Sequence, residues 1–166
     1  MKALIAVASK HGSTLQLGRR IAEVLQVQSI ATDLIAAEKV SSLRGYDLVV
    51  LGSAVYANKM MPAMTALAYR WRDQLPPRPT YLFCSGPLGS PDPSAVPLPR
   101  EARDLVNSLA IRSARMFGGC LSFDRLRPPE RAWARMFGTR SGDYRDWVEV
   151  EAWAASIADQ MERCSR

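Results

Sequence analysis

The stretch KALIAVASKHGSTLQLGRRIAEVLQV, residues 2–27, decides the fold of this chain. Its opening part, KALIAVA, is almost wholly apolar, which is typical of a strand buried on both faces of a parallel sheet. Residues 14–27 carry apolar side chains at helical spacing, with Ile21 and Leu25 near one face. Between the two lies SKHGST, a short loop rich in hydroxyl groups. A buried strand, a loop and an amphipathic helix predict the start of a strand–helix–strand unit.

The rest of the chain repeats this alternation. Further strands are predicted at residues 29–34, 47–55, 80–85 and within 114–123, and further helices at 62–75, 100–111 and 147–163. Alternating strands and helices predict an α/β fold whose parallel sheet is covered by helices on both faces. There is no internal repeat or linker, so residues 1–166 are expected to form a single domain. Ligands of such sheets bind at the carboxyl ends of the strands, which makes loops 9–14, 53–59 and 85–90 the candidate binding loops.

The composition is that of a globular protein. Of the 166 residues, 48% are hydrophobic, which is enough for a buried core. No apolar run approaches the roughly 18 residues of a membrane span, and the N-terminus lacks a signal-peptide pattern, so a cytoplasmic protein is expected. The three cysteines, Cys84, Cys120 and Cys164, are far apart and form no CxxC pair. Neither a disulfide framework nor a metal site is therefore predicted.

The loop SKHGST has the features of a phosphate site. It places the hydroxyls of Ser9, Ser13 and Thr14, together with Gly12, at a helix N-terminus, whose dipole favours an anion. Ser13 or Thr14 alone would suffice as an ordinary helix cap, so the cluster favours phosphate binding. The loop has neither the lysine of a Walker motif nor the GxGxxG of a dinucleotide fold, which argues against ATP, GTP and NAD. It also lacks a phosphatase cysteine, and His11, the single histidine, is expected to line the loop rather than act as a base.

Positive charge is concentrated late in the chain. The net charge is +6, and residues 112–145 contain eight arginines against three acidic residues. Such a segment attracts acidic partners, although it could also reflect a general preference for arginine over lysine. Nucleic acid is not expected, because neither a recognition motif nor a row of stacking aromatic residues accompanies the arginines. Residues 128–138 predict a short basic helix with Trp133, Met136 and Phe137 on one side, which either packs on the core or lies in a membrane interface.

The same loop carries a family resemblance. SKHGST resembles the phosphate loop of flavodoxins, Thr/Ser-x-Thr-Gly-x-Thr, in which Ser9, Gly12 and Thr14 match and His11 replaces the middle threonine. Over nearly the whole chain the sequence is similar to the flavodoxin-like, menaquinone-dependent protoporphyrinogen oxidase family, in KALIAVASKHGST, YDLVVLGSAVYANKMMPAM and GDYRDWVEVEAWA. The resemblance implies a three-layer flavodoxin-like sandwich, a five-stranded parallel sheet of order 2-1-3-4-5, and noncovalently bound FMN.

The resemblance also implies which residues bind the cofactor. The FMN phosphate would be bound by Ser9, Lys10, His11, Gly12, Ser13 and Thr14. The flavin ring would lie between two loops, one made of Ser53, Ala54, Val55, Tyr56, Ala57 and Asn58, the other of Ser85, Gly86, Pro87, Leu88 and Gly89. The flavin performs the redox chemistry in such proteins, so no catalytic protein residue and no metal ion are expected.

Two departures from carrier flavodoxins bear on the expected function. The carriers that the sequence resembles sandwich the flavin ring between aromatic side chains. Here Tyr56 could cover one face, whereas SGPLGS at residues 85–90 has no aromatic residue. The second face would then be open to a substrate, or covered by Leu88 or a residue from elsewhere. Those carriers are also acidic, whereas this chain has a basic, insertion-like segment at residues 122–145.

The resemblance therefore favours an FMN-dependent oxidoreductase that dehydrogenates protoporphyrinogen IX, or a similar planar acidic substrate, with a quinone as acceptor. Guanidinium groups bind carboxylates well, so four arginines are candidates for the acidic groups of the substrate: Arg125, Arg127, Arg131 and Arg135. The alternatives are a flavodoxin-type electron carrier to a protein partner, an FMN-dependent quinone or small-molecule reductase, and a binding module that has lost the flavin. Residues 122–145 could also bring the protein to the inner face of an anionic membrane.

Overall fold

A computed structural model of the chain describes residues 1–86, 92–121, 127–136 and 141–164, apart from the side chains of residues 94, 130 and 133–135. The strands are β1 (Lys2–Ala8), β2 (Ala31–Ala36), β3 (Leu48–Tyr56), β4 (Lys59–Met60), β5 (Thr80–Ser85), β6 (Ser113–Phe117), β7 (Cys120–Leu121) and β8 (Gly142–Asp143). The helices are α1 (Ser13–Val27), α2 (Pro62–Arg70), α3 (Arg100–Ser108), α4 (Pro128–Met136) and α5 (Trp147–Cys164). Two single 3₁₀ turns lie at Ala37–Lys39 and Pro93–Ala95.

The central sheet has the strand order β2-β1-β3-β5-β6, and its neighbouring strands are parallel. Numbering these five strands consecutively gives 2-1-3-4-5, so the predicted flavodoxin-like topology is confirmed. β4 forms an antiparallel hairpin with β3, and β7 and β8 form a separate antiparallel pair. The strand order reverses between β1 and β3, and the carboxyl ends of these two strands therefore mark the place where a ligand is expected.

Helices cover both faces of the sheet, as predicted. On one face the buried side chains include Leu67 of α2 and Leu105 of α3. On the other face they include Ile21 of α1 and Ile157 of α5. Side chains alternate between the two faces of a strand, so the continuous apolar runs read in the sequence supply both layers of the core at once.

An aromatic cluster fills the layer beneath α5. The rings of Phe83, Phe117 and Trp153 have centroids 5.6 to 6.2 Å apart, and the Trp153 indole N–H donates to Ser113 Oγ at 3.0 Å. Gly52 is paired with Phe83 across β3 and β5. A Cβ atom at position 52 would lie 2.2 Å from the nearest atom of the Phe83 ring. Glycine at position 52 therefore provides the space that the ring occupies.

The ends of several elements differ from the prediction where the chain turns. β2 begins at residue 31 rather than 29, because Ser29 has a left-handed φ of 61° and its N–H donates to the Gln26 carbonyl at the end of α1. α2 ends at residue 70 rather than 75, and Leu75, which precedes a proline, is disfavoured in a helix. β6 ends at residue 117, well before the end of the predicted range 114–123, because two adjacent glycines follow at positions 118 and 119. The short strands β4, β7 and β8 have two residues each, too few to show a periodicity.

The helix expected at residues 128–138 is present as α4 and ends at Met136, whose side chain is exposed. Phe137 and the side chain of Trp133 lie outside the described part of the chain, so the choice between core packing and a membrane interface stays open. None of the helices in the described ranges has the length and apolar character that crossing a bilayer requires.

Candidate functional site

Two of the three candidate loops, and the described beginning of the third, leave the sheet side by side. Ala8, the last residue of β1, is in register with Ser53 of β3, and Ala54 is in register with Ser85, the last residue of β5. The segments that follow these residues therefore emerge at one edge of the sheet, at the switch point between β1 and β3. The sequence-predicted positions 9–14, 53–58 and 85–86 are brought together there.

The first loop enters α1 through a glycine. Gly12 has a left-handed φ of 85° and is the N-cap residue of the helix, and its N–H donates to Ser9 Oγ at 3.1 Å. The α1 terminus has no side-chain cap, and its first turn contains no acidic residue. Ser13 and Thr14 thus lie inside the helix and do not cap it, contrary to the capping alternative. The positive end of the α1 dipole is left to interact with a ligand.

The hydroxyl groups of this loop are oriented by the backbone. Ser9 Oγ accepts the Gly12 N–H, and Ser13 Oγ accepts the N–H of Cys120 at 3.2 Å. A serine hydroxyl that accepts a hydrogen bond still has its own proton to donate. Thr14, in the first turn of the helix, is only 2% exposed. The loop therefore presents donors, which is what a phosphate dianion requires.

His11 and Lys10 occupy the outer part of the first loop. Lys10 is exposed and His11 is half-buried. The imidazole of His11 meets the ring of Tyr56 edge to face, with centroids 6.4 Å apart and an interplanar angle of 84°. This contact links the first loop to the β3–β4 hairpin, and it fits the expectation that His11 lines the loop.

The β3–β4 hairpin turns through Ala57 and Asn58, both with left-handed φ angles, of 48° and 60°. Such a pair is typical of the tight turn that matches the twist of two antiparallel strands. The turn leaves Tyr56 44% exposed at its start. Tyr56 is thus the aromatic side chain of the hairpin that can cover a planar ring.

The base of the hairpin is held by two polar side chains. The Met60 N–H donates to Glu101 Oε2 at 2.8 Å, and the Met61 N–H donates to Ser53 Oγ at 2.9 Å. Ser53 is fully buried, and its own proton goes to the Ala54 carbonyl at 2.9 Å. The Ser53 hydroxyl therefore supports the hairpin, and its neighbour Ala54 is also buried.

The third loop begins very close to the hairpin. A Cβ atom at Gly86 would lie 2.9 Å from Val55 Cβ and 3.2 Å from the Val55 carbonyl oxygen, so a glycine is needed for this approach. The Gly86 N–H donates to the Phe117 carbonyl at 3.2 Å, and Ser85 is buried. Pro87, Leu88 and Gly89 lie outside the described residues, and their assignment to the flavin ring stays a prediction.

A family model described as the flavodoxin domain matches residues 4–146. The chain belongs to the flavodoxin domain family. FMN is the cofactor of this domain, as expected from the loop SKHGST, and the chain is an FMN-binding domain. A search of the curated proteins found no significant match.

Solved structures share the fold at low sequence identity. A flavodoxin from the domain Archaea has a TM-score of 0.65 and 13% identity, and the match covers 98% of this chain and 99% of that one. A Streptococcus pneumoniae flavodoxin has a TM-score of 0.65 and 15% identity, with 96% and 99% covered. The rubredoxin oxygen:oxidoreductase of the anaerobe Desulfovibrio gigas has a TM-score of 0.68 and 13% identity; the match covers 98% of this chain but only 36% of that one.

The geometry of this flavodoxin domain fits FMN. A phosphate at the start of α1 would meet a helix end without a side-chain cap and with no acidic residue in its first turn, and the oriented hydroxyls of Ser9 and Ser13 would lie beside it. The left-handed Gly12 keeps this approach open, because nothing lies within 4 Å of a Cβ atom built there. Tyr56 stands at the neighbouring hairpin, where a flavin ring would follow the phosphate.

The candidate substrate arginines of the flavodoxin domain are only partly described. Arg127 is exposed and Arg131 is half-buried at the start of α4, where the Arg131 N–H donates to the Arg127 carbonyl at 2.9 Å. Arg125 and the side chain of Arg135 lie outside the described residues. A joint role of these four arginines in substrate binding therefore stays a prediction.

Several residues of the site were not predicted. Glu101 reaches the hairpin from α3, and Cys120 reaches Ser13 from β7. The Arg145 Nη1 group donates to Gln16 Oε1 at 2.5 Å, across 129 positions of the chain. Arg145 lies within the quoted stretch GDYRDWVEVEAWA, but its contact with Gln16 of α1 has no signal in the sequence.

Cys84 lies at the end of β5, next to the site, and is fully buried. Burial raises the pKa of its thiol to about 12, since the charged thiolate is disfavoured in an apolar environment. The Cys84 thiol is therefore protonated at neutral pH. It has the character of a packing residue and not of a nucleophile.

Proposed function

We propose that this flavodoxin domain is an electron-transfer protein, which exchanges electrons through FMN with a redox partner. The observation that carries the proposal is the uncapped N-terminus of α1, with two hydroxyls oriented beside it. FMN, when bound, supplies the redox chemistry. The contribution of the chain is to bind the cofactor, orient it and control access to it.

The residues of the site divide this work. The loop at residues 9–14 binds the phosphate, and Tyr56 covers one face of the ring, where aromatic stacking contributes about 0.5 to 1.5 kcal/mol beyond burial. Ser53 and Glu101 hold the hairpin that carries Tyr56. Because Tyr56 is itself partly exposed, the ring edge beside it would be within reach of a docking partner.

The charge of the chain indicates the kind of partner. With a net charge of +6, the protein is attracted to acidic surfaces, and the arginine-rich residues 112–145 carry most of that excess. Of these, Arg127 and Arg131 flank the start of α4. We therefore expect a redox partner with an acidic docking face, the inverse of the charge arrangement expected for an acidic carrier. Association should slow as salt is added.

Anaerobic stepwise reduction of the FMN-loaded protein, followed by visible absorption, tests the proposal. A carrier exchanges one electron at a time, so the spectra should pass through a species distinct from the oxidised and the fully reduced forms. A direct conversion between these two forms, with a single set of isosbestic points throughout, would contradict the carrier role. The Tyr56→Leu variant serves as a comparison, because it should shift the potentials without abolishing FMN binding.

A second candidate function is dehydrogenation of a planar acidic substrate, such as protoporphyrinogen IX, with a quinone as electron acceptor. It is favoured by two contacts that place both ends of the basic segment at the first turn of α1. The Cys120 N–H, just before the segment, donates to Ser13 Oγ, and Arg145, the last residue of the segment, donates to Gln16 Oε1. An insertion beside the cofactor site could provide arginines for the substrate carboxylates. In this reaction the substrate loses hydrogen and the quinone takes it up.

Anaerobic incubation of the FMN-loaded protein with protoporphyrinogen IX and a menaquinone analogue distinguishes the two functions. Formation of fluorescent porphyrin above the enzyme-free rate, and its loss when the quinone is omitted, would establish the dehydrogenase. Porphyrin formation no faster than the enzyme-free rate would contradict the dehydrogenase and leave electron transfer as the proposed function. Sedimentation with anionic vesicles tests the separate proposal that residues 122–145 meet a membrane, and vesicles of neutral lipid are the control.

A further inference from the structure

The tail GDYRDW, residues 142–147, is built around one arginine. Arg145 Nε and Nη2 donate to the two carboxylate oxygens of Asp143 at 2.7 and 2.5 Å. The Arg145 guanidinium also lies 4.6 Å from the centroid of the Trp147 ring, and its side chain is only 7% exposed. The guanidinium lowers the pKa of the Asp143 carboxyl, so the pair is charged at neutral pH. An arginine that binds a carboxylate with two hydrogen bonds, stacks on an aromatic ring and is buried holds its side chain rigidly, and it can anchor the chain around it.

This anchor is attached to α1. Its third donor, Nη1, reaches Gln16 Oε1 at 2.5 Å, and Gln16 lies in the turn of α1 that begins at Ser13. Arg145 therefore connects the end of the antiparallel β7–β8 pair to α1, the helix that starts at the phosphate loop.

The backbone around the anchor is packed tightly. The Tyr144 N–H donates to the Gly119 carbonyl at 3.0 Å. A Cβ atom at Gly118 would lie 1.8 Å from the Tyr144 carbonyl oxygen, so only glycine permits the approach of the two segments. Movement of the chain at Arg145 would consequently be passed to residues 118–120.

Residue 120 is the one that meets the phosphate loop. The Cys120 N–H donates to Ser13 Oγ at 3.2 Å. Because the hydroxyl accepts this bond, its single proton is directed elsewhere, and the phosphate position at the start of α1 is the acceptor nearby. The contacts thus run from Arg145 through the antiparallel β7–β8 pair to the Ser13 hydroxyl.

We propose that Arg145 is a positioning residue for the FMN phosphate. It holds the antiparallel β7–β8 pair against the first turn of α1, and this pair orients the Ser13 hydroxyl towards the phosphate. The inference rests on FMN binding at residues 9–14. It acts on the phosphate end of the cofactor and not on the ring. Loss of Arg145 should therefore weaken the binding of FMN while leaving that of riboflavin, which has no phosphate, unchanged.

The test compares Arg145→Met with Arg103→Met, which removes an equal charge from the exposed face of α3. Dissociation constants of FMN and riboflavin for the apoprotein are measured by flavin fluorescence quenching, and apoprotein melting is recorded alongside. Arg145→Met should weaken FMN binding about tenfold, as for loss of a hydrogen bond to a charged group, and riboflavin binding less than about twofold. Arg103→Met should change neither constant.

Gln16→Met provides a second route, should Arg145→Met fail to fold. It removes the link to α1 from the helix surface and keeps the pair of Arg145 with Asp143, and it should show the same selective loss of FMN affinity. Unchanged FMN affinity in the variants, or equal losses for FMN and riboflavin, would overturn the positioning role. Failure of the unaltered chain to bind FMN would instead overturn the phosphate site on which the inference rests.

Discussion

Gly52→Ala should destabilise the protein, although alanine is normally the better residue within a strand. Replacing a strand glycine by alanine ordinarily stabilises by roughly 0.5 to 1 kcal/mol, because the unfolded chain loses freedom. At this position the new Cβ would lie 2.2, 2.4 and 2.9 Å from three atoms of the Phe83 ring. Ordinary contact begins at 3.4 Å, so the ring would have to move by about 1.2 Å.

The Phe83 ring has no free direction in which to move. It is fully buried, and it packs against the rings of Phe117 and Trp153, each with its centroid 6.2 Å away. Overpacking of this kind costs about 1 to 3 kcal/mol, and the upper end applies here because the ring is confined. After the gain from alanine, the free energy of unfolding should fall by about 2 kcal/mol, which lowers the melting temperature by about 4 to 8 °C.

Urea unfolding of the apoprotein, followed by circular dichroism, measures this loss. Phe83→Leu supplies the control, because it removes the ring atoms that the new Cβ would meet. In the Phe83→Leu background Gly52→Ala should cost less than about 0.5 kcal/mol, so that the two substitutions couple by more than 1 kcal/mol. Equal or greater stability of the single variant Gly52→Ala would refute the packing argument.

Three further predictions concern the hydroxyl cluster, the sheet edge and the buried thiol. Thr14→Val should weaken FMN binding at least about tenfold without lowering apoprotein stability, as measured by fluorescence quenching and thermal melting; unchanged affinity would contradict the assignment. Asp33 accepts a hydrogen bond from Tyr46 at 2.6 Å, and Lys2 and Tyr46 lower the pKa of its carboxyl below the ordinary 3.8. The ionised Asp33 therefore contributes stability above pH 3.8, and this contribution is lost as the pH falls through the lowered pKa. Asp33→Asn should therefore reduce the urea midpoint at pH 7, with a difference from the unaltered protein that shrinks below pH 3.8; a constant difference would argue against the pair. At pH 8 a thiol reagent should modify the exposed Cys164 and leave Cys84 unmodified until the protein unfolds.

The frame of the sheet could be predicted because long apolar runs are unambiguous. β1 and β5 match their predicted ranges of 2–8 and 80–85 residue for residue, and α1 differs by one residue at its start. Strand and helix alternation also leads to the parallel topology, since parallel neighbours require crossovers. The predicted element boundaries were wrong where the local backbone conformation sets them. Ser29, for example, has a left-handed φ, so β2 begins two residues later than predicted.

The candidate site was predictable at its centre and not at its supports. The loop SKHGST shows its hydroxyls and glycine within six neighbouring positions, and the family match supports FMN as the cofactor of the domain. The contacts that hold the site in place are long-range: Glu101 lies 41 positions from Met60, and Cys120 lies 107 positions from Ser13. Such pairs arise from tertiary packing, and a single sequence has no periodicity that would reveal them.

The central claim is that residues 9–14 enclose the FMN phosphate as a dianion, and phosphorus NMR of the FMN-loaded protein tests it most directly. The ordinary second pKa of a phosphate monoester is about 6, and hydrogen-bond donors at a helix N-terminus favour the dianion. The account predicts one bound resonance that stays at the same chemical shift from about pH 5.5 to about pH 8. A bound resonance that titrates near pH 6, as in free FMN, would contradict it, because the phosphate would then lie in solvent.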